Sequence, residues 1–479
     1  MITCIRGLPW LIGYEAETAT HVYLKDGDLA FENGAVLQVG GRYEGAADTE
    51  IDGRGLCAMP GLINAHTHPS NQPSFRGVRE DLGNPNFYQS GLYDGRTAFV
   101  ADVDQRHWNA RMAYWEMLKS GVTTVVDMSF AYPGWIEAAS DSGLRVYVAP
   151  LFQDRKWATS DGIRLGYLPE ATPGRNALQA ALDLMSVAES DGSGRLTGMV
   201  APMAVDVCEP ELMQDALAAA RQLARPIQLH VGESVLEFQE MTRRHGKTQV
   251  QLLDDLELLG PDVIIGHGLF LGHHPWLHWD FKEDVEILAR HRVSVSHCPT
   301  VFGRYGITLD SFGAYVRAGI NMSIGTDTHP HNMIEEMRHA AIFARIAEGR
   351  ISGGRTADVF NAATLGGARA LMREDIGRLA PGAKADIVLI DMSSPWMQPV
   401  YDPVRCLVHT AADRAVRDVY VDGRLVVNNG EVVTIDIETT ARHVSAMQTR
   451  AVGRAAQLDH SGRTAEQIAP PSFAISSLQ

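Results

Sequence analysis

Cysteine is scarce and scattered. The five residues Cys4, Cys57, Cys208, Cys298 and Cys406 are odd in number and include no C-x-x-C pair. That argues against a disulfide framework and points to a reducing, cytoplasmic setting. Positive charge is in deficit: 42 Lys and Arg against 58 Asp and Glu leave a formal charge of −16, and only six residues are lysine. A nucleic-acid or anionic-membrane surface needs clustered cations and is not expected here. No apolar run approaches the ~18 residues of a membrane span. Residues 1–13 lack the basic and then apolar pattern of a signal peptide. What is present, 45% hydrophobic and 21% charged residues, is globular. The charge says little about a small-molecule substrate held in a pocket.

At 479 residues the chain suits a barrel of ~250 residues or more with a second module. Residues 1–60 read as short β segments, two of them at 21–24 and 29–31, punctuated by Gly27, Gly34 and Gly40-Gly41. The same character returns over 379–436, so both ends are predicted to build one small β-sandwich domain. Residues 437–479 read as a helical and then flexible tail without a site residue. Between the two ends, over 61–378, strand and helix alternate. Strands are predicted near 61–66, 122–128, 145–151, 197–203, 226–230, 262–267, 292–297 and 320–326, with helical patterns between several of them. Near-continuous apolar strands alternating with amphipathic helices imply a parallel sheet buried on both sides. The expected class is α/β, a (β/α)8 TIM-type barrel, with an open doubly wound sheet as the alternative.

Five of these runs end in imidazole or carboxylate. His66 and His68 close the first, His230 the fifth, His267 the sixth, His297 the seventh and Asp327 the eighth run, which shares its loop with Gly325-Thr326. That makes six such residues on five strands. Positions i and i+2 on a strand share a face, so His66 and His68 can reach one ion. Three imidazoles and a carboxylate drawn from distant strands suit Zn²⁺, or Fe²⁺ with an open position, and not a closed structural site. Glu233, three residues after His230, is placed to carry protons from an activated water, although a solvent-exposed loop glutamate would look the same. His267 is a candidate to polarise the water or the tetrahedral oxygen, and otherwise a core histidine. His297 reads as substrate-orienting or structural. Arg76 and Arg304 can recognise a carboxylate or ring carbonyl, or lie on the surface. The fourth strand carries no lysine to bridge two ions, which favours one metal.

Residues 60–68 (PGLINAHTH), 74–81 (SFRGVRED), His230-Val231-Gly232-Glu233, Gly325-Thr326-Asp327 and 382–388 (GAKADIV) resemble motifs of the amidohydrolase superfamily. The resemblance is to its mononuclear branch of cytosine/guanine deaminases and triazine hydrolases, over roughly residues 15–435. It implies one divalent metal, Zn²⁺ before Fe²⁺, held by His66, His68, His230 and Asp327. Glu233 would be proton shuttle, His267 partner of the water and oxyanion, Asp327 general base, and Arg76 substrate-facing. The implied reaction is attack of metal-generated hydroxide on an sp² carbon of a nitrogen heterocycle, with ammonia as the expected leaving group. An alkylamine, chloride or hydrosulfide leaving group, or an amide or urea C–N bond, is the alternative. Relatives are often homo-oligomers, dimers or larger. Departures fall at residues 83–96, at 298–306, and at His329 and His331, all where substrate is expected.

Overall fold

The computed structural model describes residues 1–71 and 73–476. Val122–Ser129 and Arg145–Phe152 are buried at every position, as strands inside a two-layered parallel sheet must be. Two parallel arcs carry the alternation seen in the sequence. One runs through Leu62–Thr67, Val122–Ser129, Arg145–Phe152 and the pair Leu196–Gly198 and Ala201–Pro202. The other runs through Ile227–Val231, Val263–His267, Ser294–His297 and Asn321–Ile324. Parallel bridges Thr67–Asp327 at one seam, and Val200–Ile227 and Ala204–His230 at the other, close the arcs into a ring. No edge is left for the doubly wound alternative. The expected fourth strand, 197–203, is split in two, Leu196–Gly198 and Ala201–Pro202, with the break at residues 199–200.

Helices Arg106–Lys119, Gly174–Glu189, Pro210–Gln222 and Asp284–Arg290 lie in the connections between the staves, and Met333–Glu348 follows the last. Both chain ends meet in a separate nine-stranded sheet, in which Leu56–Pro60 lies between Ile2–Glu15 and Ile387–Asp391. The two segments expected at 21–24 and 29–31 are one strand, Thr20–Glu32. Gly27 does not break it, because it pairs with Leu8 and the irregularity falls in a bulge between Ile5 and Leu8. Strands Val416–Val421 and Arg424–Asn428 form a hairpin whose turn, Asp422-Gly423, has positive φ at both residues, as a tight hairpin turn demands.

This sheet docks at the amino ends of the staves. Gly61 alone separates Leu56–Pro60 from the first stave, and its N–H donates to Asp386 O at 2.9 Å. Arg145, opening the third stave, reaches the Asp386 carboxylate at 3.3 Å with both side chains 2% exposed.

The tail is more ordered in role than the sequence suggested. Helix Ile437–Leu458 buries Met447, Ala451 and Ala455 against Phe75, Ala98 and Phe99 of the long excursion after the first stave. Residues 477–479 of the expected flexible tail lie outside the described residues.

Candidate metal centre and active site

The carboxyl ends of the first, fifth, sixth and eighth staves are drawn together by backbone contacts. Asp327 N–H donates to His66 O at 2.9 Å, and His68 N–H to Asp327 O at 2.8 Å. Such an approach needs a missing side chain: a Cβ on Gly325 would lie 2.5 Å from His66 O. Gly266 likewise leaves room for the His66 ring, since a Cβ there would stand 2.9 Å from its Cε1. Asp327 and His267 both have positive φ, 56° and 80°. Non-glycine residues rarely hold such conformations, and those that do cluster at functional sites.

Hydrogen bonds fix which nitrogen each histidine turns inward. His68 Nδ1 faces Met128 O at 2.5 Å, and His230 Nδ1 faces Met203 O. A carbonyl only accepts, so both Nδ1 atoms donate and both Nε2 atoms turn inward. His66 Nδ1 lies 2.7 Å from Gln228 Oε1, an orientation fixed by Gln228 Nε2 donating to Ala65 O at 3.0 Å. His66 Nε2 is buried and unpaired. The His68 and His230 Nε2 atoms lie 3.1 Å apart, and Asp327 Oδ1 is 3.2 Å from His68 Nε2 and 3.8 Å from His66 Nε2. The separations are close to the ~3.3 Å edge expected for tetrahedral ligands 2.0–2.1 Å from zinc. Burial, reinforced by His230 and His68, holds the His66 ring well below its usual range and keeps it neutral. His66, His68 and Asp327 form one group of donor atoms close enough to hold a metal ion, and His66, His230 and His267 form another that shares His66; the carbonyl and amide partners are the supports such ligands need.

His267 is fully buried with both ring nitrogens unpaired, its ring 4.7 Å from His66 and 4.8 Å from Phe302. Burial depresses its pKa strongly, so it too is neutral. Glu233 lies on the cavity wall with His68, His230 and Asp327. It sits on the short link from the fifth stave to helix Val235–His245, which is capped by Ser234. That link is held from below by Glu237, which sequence reasoning did not single out. The buried Glu237 carboxyl accepts Gly232 N–H at 2.7 Å, Glu233 N–H at 2.9 Å and Gln249 Nε2 at 3.1 Å. Burial, with the neighbouring Asp206, raises its pKa. Tyr93 OH bonds Ser234 Oγ at 2.5 Å from the other side. A glutamate one helical turn after the motif glutamate was the only sequence signal for Glu237.

The substrate-facing arginines differ in placement. Arg304 lines the cavity, and its guanidinium donates to His329 O. Arg76 pairs with Glu116 at 2.6 Å on the barrel wall, and the arginine of that loop on the cavity wall is Arg79. His297 is buried beside Phe312, ring centroids 6.0 Å apart, and is not among the lining residues. Phe87, Tyr88, Phe302 and Tyr305 supply aromatic surface. The two unplaced histidines hold loops: His329 Nε2 meets Glu80 Oε1 at 2.9 Å, and His331 Nδ1 bridges Thr67 and Thr326 hydroxyls at 3.2 and 3.0 Å.

A closed parallel barrel with three imidazoles and a carboxylate at its carboxyl mouth defines a metal-dependent hydrolase. The chain belongs to the amidohydrolase family, whose model matches residues 57–426. It is 30% identical over 417 residues to a 5′-deoxyadenosine deaminase of Methanosarcina mazei, covering 86% of this chain and 90% of that protein. It is 32% identical over 406 residues to a 5-methylthioadenosine/S-adenosylhomocysteine deaminase of Thermococcus kodakarensis, covering 83% and 89%. Its fold is that of an adenosine deaminase from Xanthomonas campestris solved with bound zinc, with a TM-score of 0.79, 24% identity, and 94% and 98% of the two chains covered. The expected superfamily and its enzymatic character are borne out.

Proposed function

We propose that this enzyme hydrolytically removes the exocyclic amino group from a purine-type ring, with a 5′-substituted adenosine as the substrate class to test first. The observation that carries the reading is His68 Nε2 standing 3.1 Å from His230 Nε2 and 3.2 Å from Asp327 Oδ1, beside His66 and under a cavity that Glu233 also lines. The substrate class is supported by the deaminase activities named for the relatives.

We assign the metal to His66, His68, His230 and Asp327, with Zn²⁺ before Fe²⁺. When bound, the ion lowers the pKa of water toward ~7 and so supplies hydroxide at neutral pH. The chain's residues do the rest. Asp327 accepts the water's proton as general base. Glu233 delivers a proton to a ring nitrogen beside the attacked carbon and is reloaded with a proton of the attacking water. It passes that one to the departing amino group, which leaves as ammonia, while the proton held by Asp327 restores Glu233 for the next cycle. The oxygen of water stays on the ring, which becomes a lactam. His267, neutral and unpaired, orients the water and supports the oxygen as charge develops on it. Arg304 and Arg79 address polar substituents of the substrate, and Phe302 and Tyr305 stack on the ring.

We read residues 1–60 and 379–436 as a small sandwich domain flanking the 61–378 barrel, supported by a cluster of their own that includes Ile5, Phe31, Ala58, Ile387 and Leu389. Unpaired cysteines support a reducing cytoplasm. The apolar Ile346, Ile351 and Tyr401, all more than 70% exposed, support a homo-oligomer.

The test is ammonia release, recorded beside mass change, from zinc-loaded protein offered 5′-deoxyadenosine, 5′-methylthioadenosine, guanine, aminopyrimidines and substituted triazines. Ammonia from an adenosine upholds the reading. Ammonia from none of them sinks it, and release of chloride or an alkylamine moves the same machinery to another leaving group.

A further inference from the structure

The C-terminal helix Ile437–Leu458 stands outside the barrel and supplies no residue to the cavity wall described above. It nevertheless grips both ends of the excursion that follows the first stave. At the near end, Gln448 Nε2 donates to Ser74 O and to Arg76 O, each at 2.8 Å. At the far end, Arg450 and Arg454 both reach the Asp102 carboxylate at 2.7 Å, and Arg454 donates to Val100 O at 3.0 Å. Between these anchors, Met447, Ala451 and Ala455 pack on Phe75 and Phe99. His443 stacks on Trp108 with ring centroids 4.0 Å apart and planes 2° from parallel.

The gripped segment is the one that shapes the substrate end of the cavity. Ser70, Asn71, Arg79, Phe87 and Tyr88 all belong to it and line the wall. A short physical path joins the helix to one of them. The helix buries Phe75, the Arg79 guanidinium lies 4.2 Å over the Phe75 ring, and Arg79 donates to Phe99 O at 3.0 Å. The two carbonyls taken by Gln448 flank the same turn. Beneath it, Asn109 Nδ2 donates to Ser70 O at 3.0 Å and to Ser74 Oγ at 3.1 Å, so the loop has a firm floor and depends on the helix for its outer side.

We propose that helix Ile437–Leu458 is a functional part of the active site, a strap that holds the excursion in its substrate-binding shape, with Gln448 as its positioning residue. It sets substrate affinity and leaves metal binding and the proton transfers to the barrel. Which substrate it serves rests on the function proposed above; the mechanical claim does not.

The test uses the full-length zinc-loaded protein and Gln448→Met, which keeps side-chain bulk and removes both donors. Hydrogen–deuterium exchange over residues 73–82 reports the strap without any substrate. The expected result is faster exchange there, unchanged zinc content, and KM for 5′-deoxyadenosine raised about tenfold with kcat within about twofold, as befits the loss of two hydrogen bonds that serve binding. Gln448→Lys, which restores a donor to the two carbonyls, should recover protection and KM. Asp102→Asn, which loosens the far anchor, should reproduce the Met phenotype if Gln448→Met does not fold. Unchanged exchange over 73–82 in folded Gln448→Met overturns the strap. Faster exchange without any ammonia release from the parent enzyme leaves the strap standing and fails the substrate assignment alone.

Discussion

Gln228 is the most direct handle on how this barrel prepares a metal ligand. Its amide spans two buried groups, accepting His66 Nδ1–H at 2.7 Å and donating to Ala65 O at 3.0 Å. Gln228→Leu keeps the volume and removes both bonds. In a site with no water access, the orphaned Nδ1–H costs about 1–3 kcal/mol, which will appear as lowered thermal stability of the metal-free protein. The ring also loses the partner that fixes its tautomer and aim. Losing such a support typically weakens metal affinity 10- to 100-fold, or about 1.4–2.8 kcal/mol. Zinc affinity measured by competition with a chromophoric chelator, beside the midpoint of thermal unfolding, reads the two effects separately. If Gln228→Leu lost stability but bound zinc as tightly as the parent, His66 would not be a ligand oriented by Gln228, and the ligand assignment would need to be redrawn.

Three further outcomes are expected. Glu233→Gln should retain full zinc and lose about 10²–10⁴ in turnover, because it removes a proton carrier and no ligand, whereas His230→Ala should lose zinc; elemental analysis beside ammonia release distinguishes them. Glu237→Ala leaves two backbone N–H groups beneath Glu233 unpaired, so kcat/KM should fall at least about tenfold with zinc retained, and Glu237→Gln should recover part of it. Burial pushes the Glu336 carboxyl up to about 8, against the opposing hydrogen bonds from Thr300. A raised folded-state pKa stabilises the fold below the unfolded value near 4.5 and loses that contribution as pH rises to about 8. Unfolding midpoints measured from pH 5 to 8 should therefore fall more steeply for the parent than for Glu336→Gln; parallel curves would contradict the assignment.

The convergence of the candidate donors was legible because each stands at the end of an apolar run, a local signal that survives without knowing the fold. His66, His230 and Asp327 needed only the rule that parallel strands of a barrel present their carboxyl ends to one mouth. Gln228 and Glu237 were not legible: both are common residue types, and their meaning is a contact to a backbone group that the turn itself creates. The choice between Arg76 and Arg79 depended on how a 3₁₀ turn at Pro73–Phe75 is oriented, which the R-G motif does not encode. The long strand Thr20–Glu32 was divided in the sequence reading because Gly27 looks like punctuation, while its partner Leu8 is nineteen positions away. The strap was invisible for the same reason on a larger scale, since Gln448 meets Ser74 across 374 residues.

The central strand of the terminal sheet, Leu56–Pro60, passes through Gly61 into the stave that bears His66 and His68. One extended ribbon therefore begins among apolar side chains far from solvent chemistry and ends in two imidazoles. Along such a ribbon an axial slip cannot be absorbed locally, because each backbone pair is already committed on both sides. The sheet thus acts as the datum from which the height of the two imidazoles is measured. A substitution that slipped Leu56–Pro60 by one register against Ile387–Asp391 would carry the two imidazoles about 3.3 Å along the strand, farther than the length of the metal–ligand bonds proposed for them.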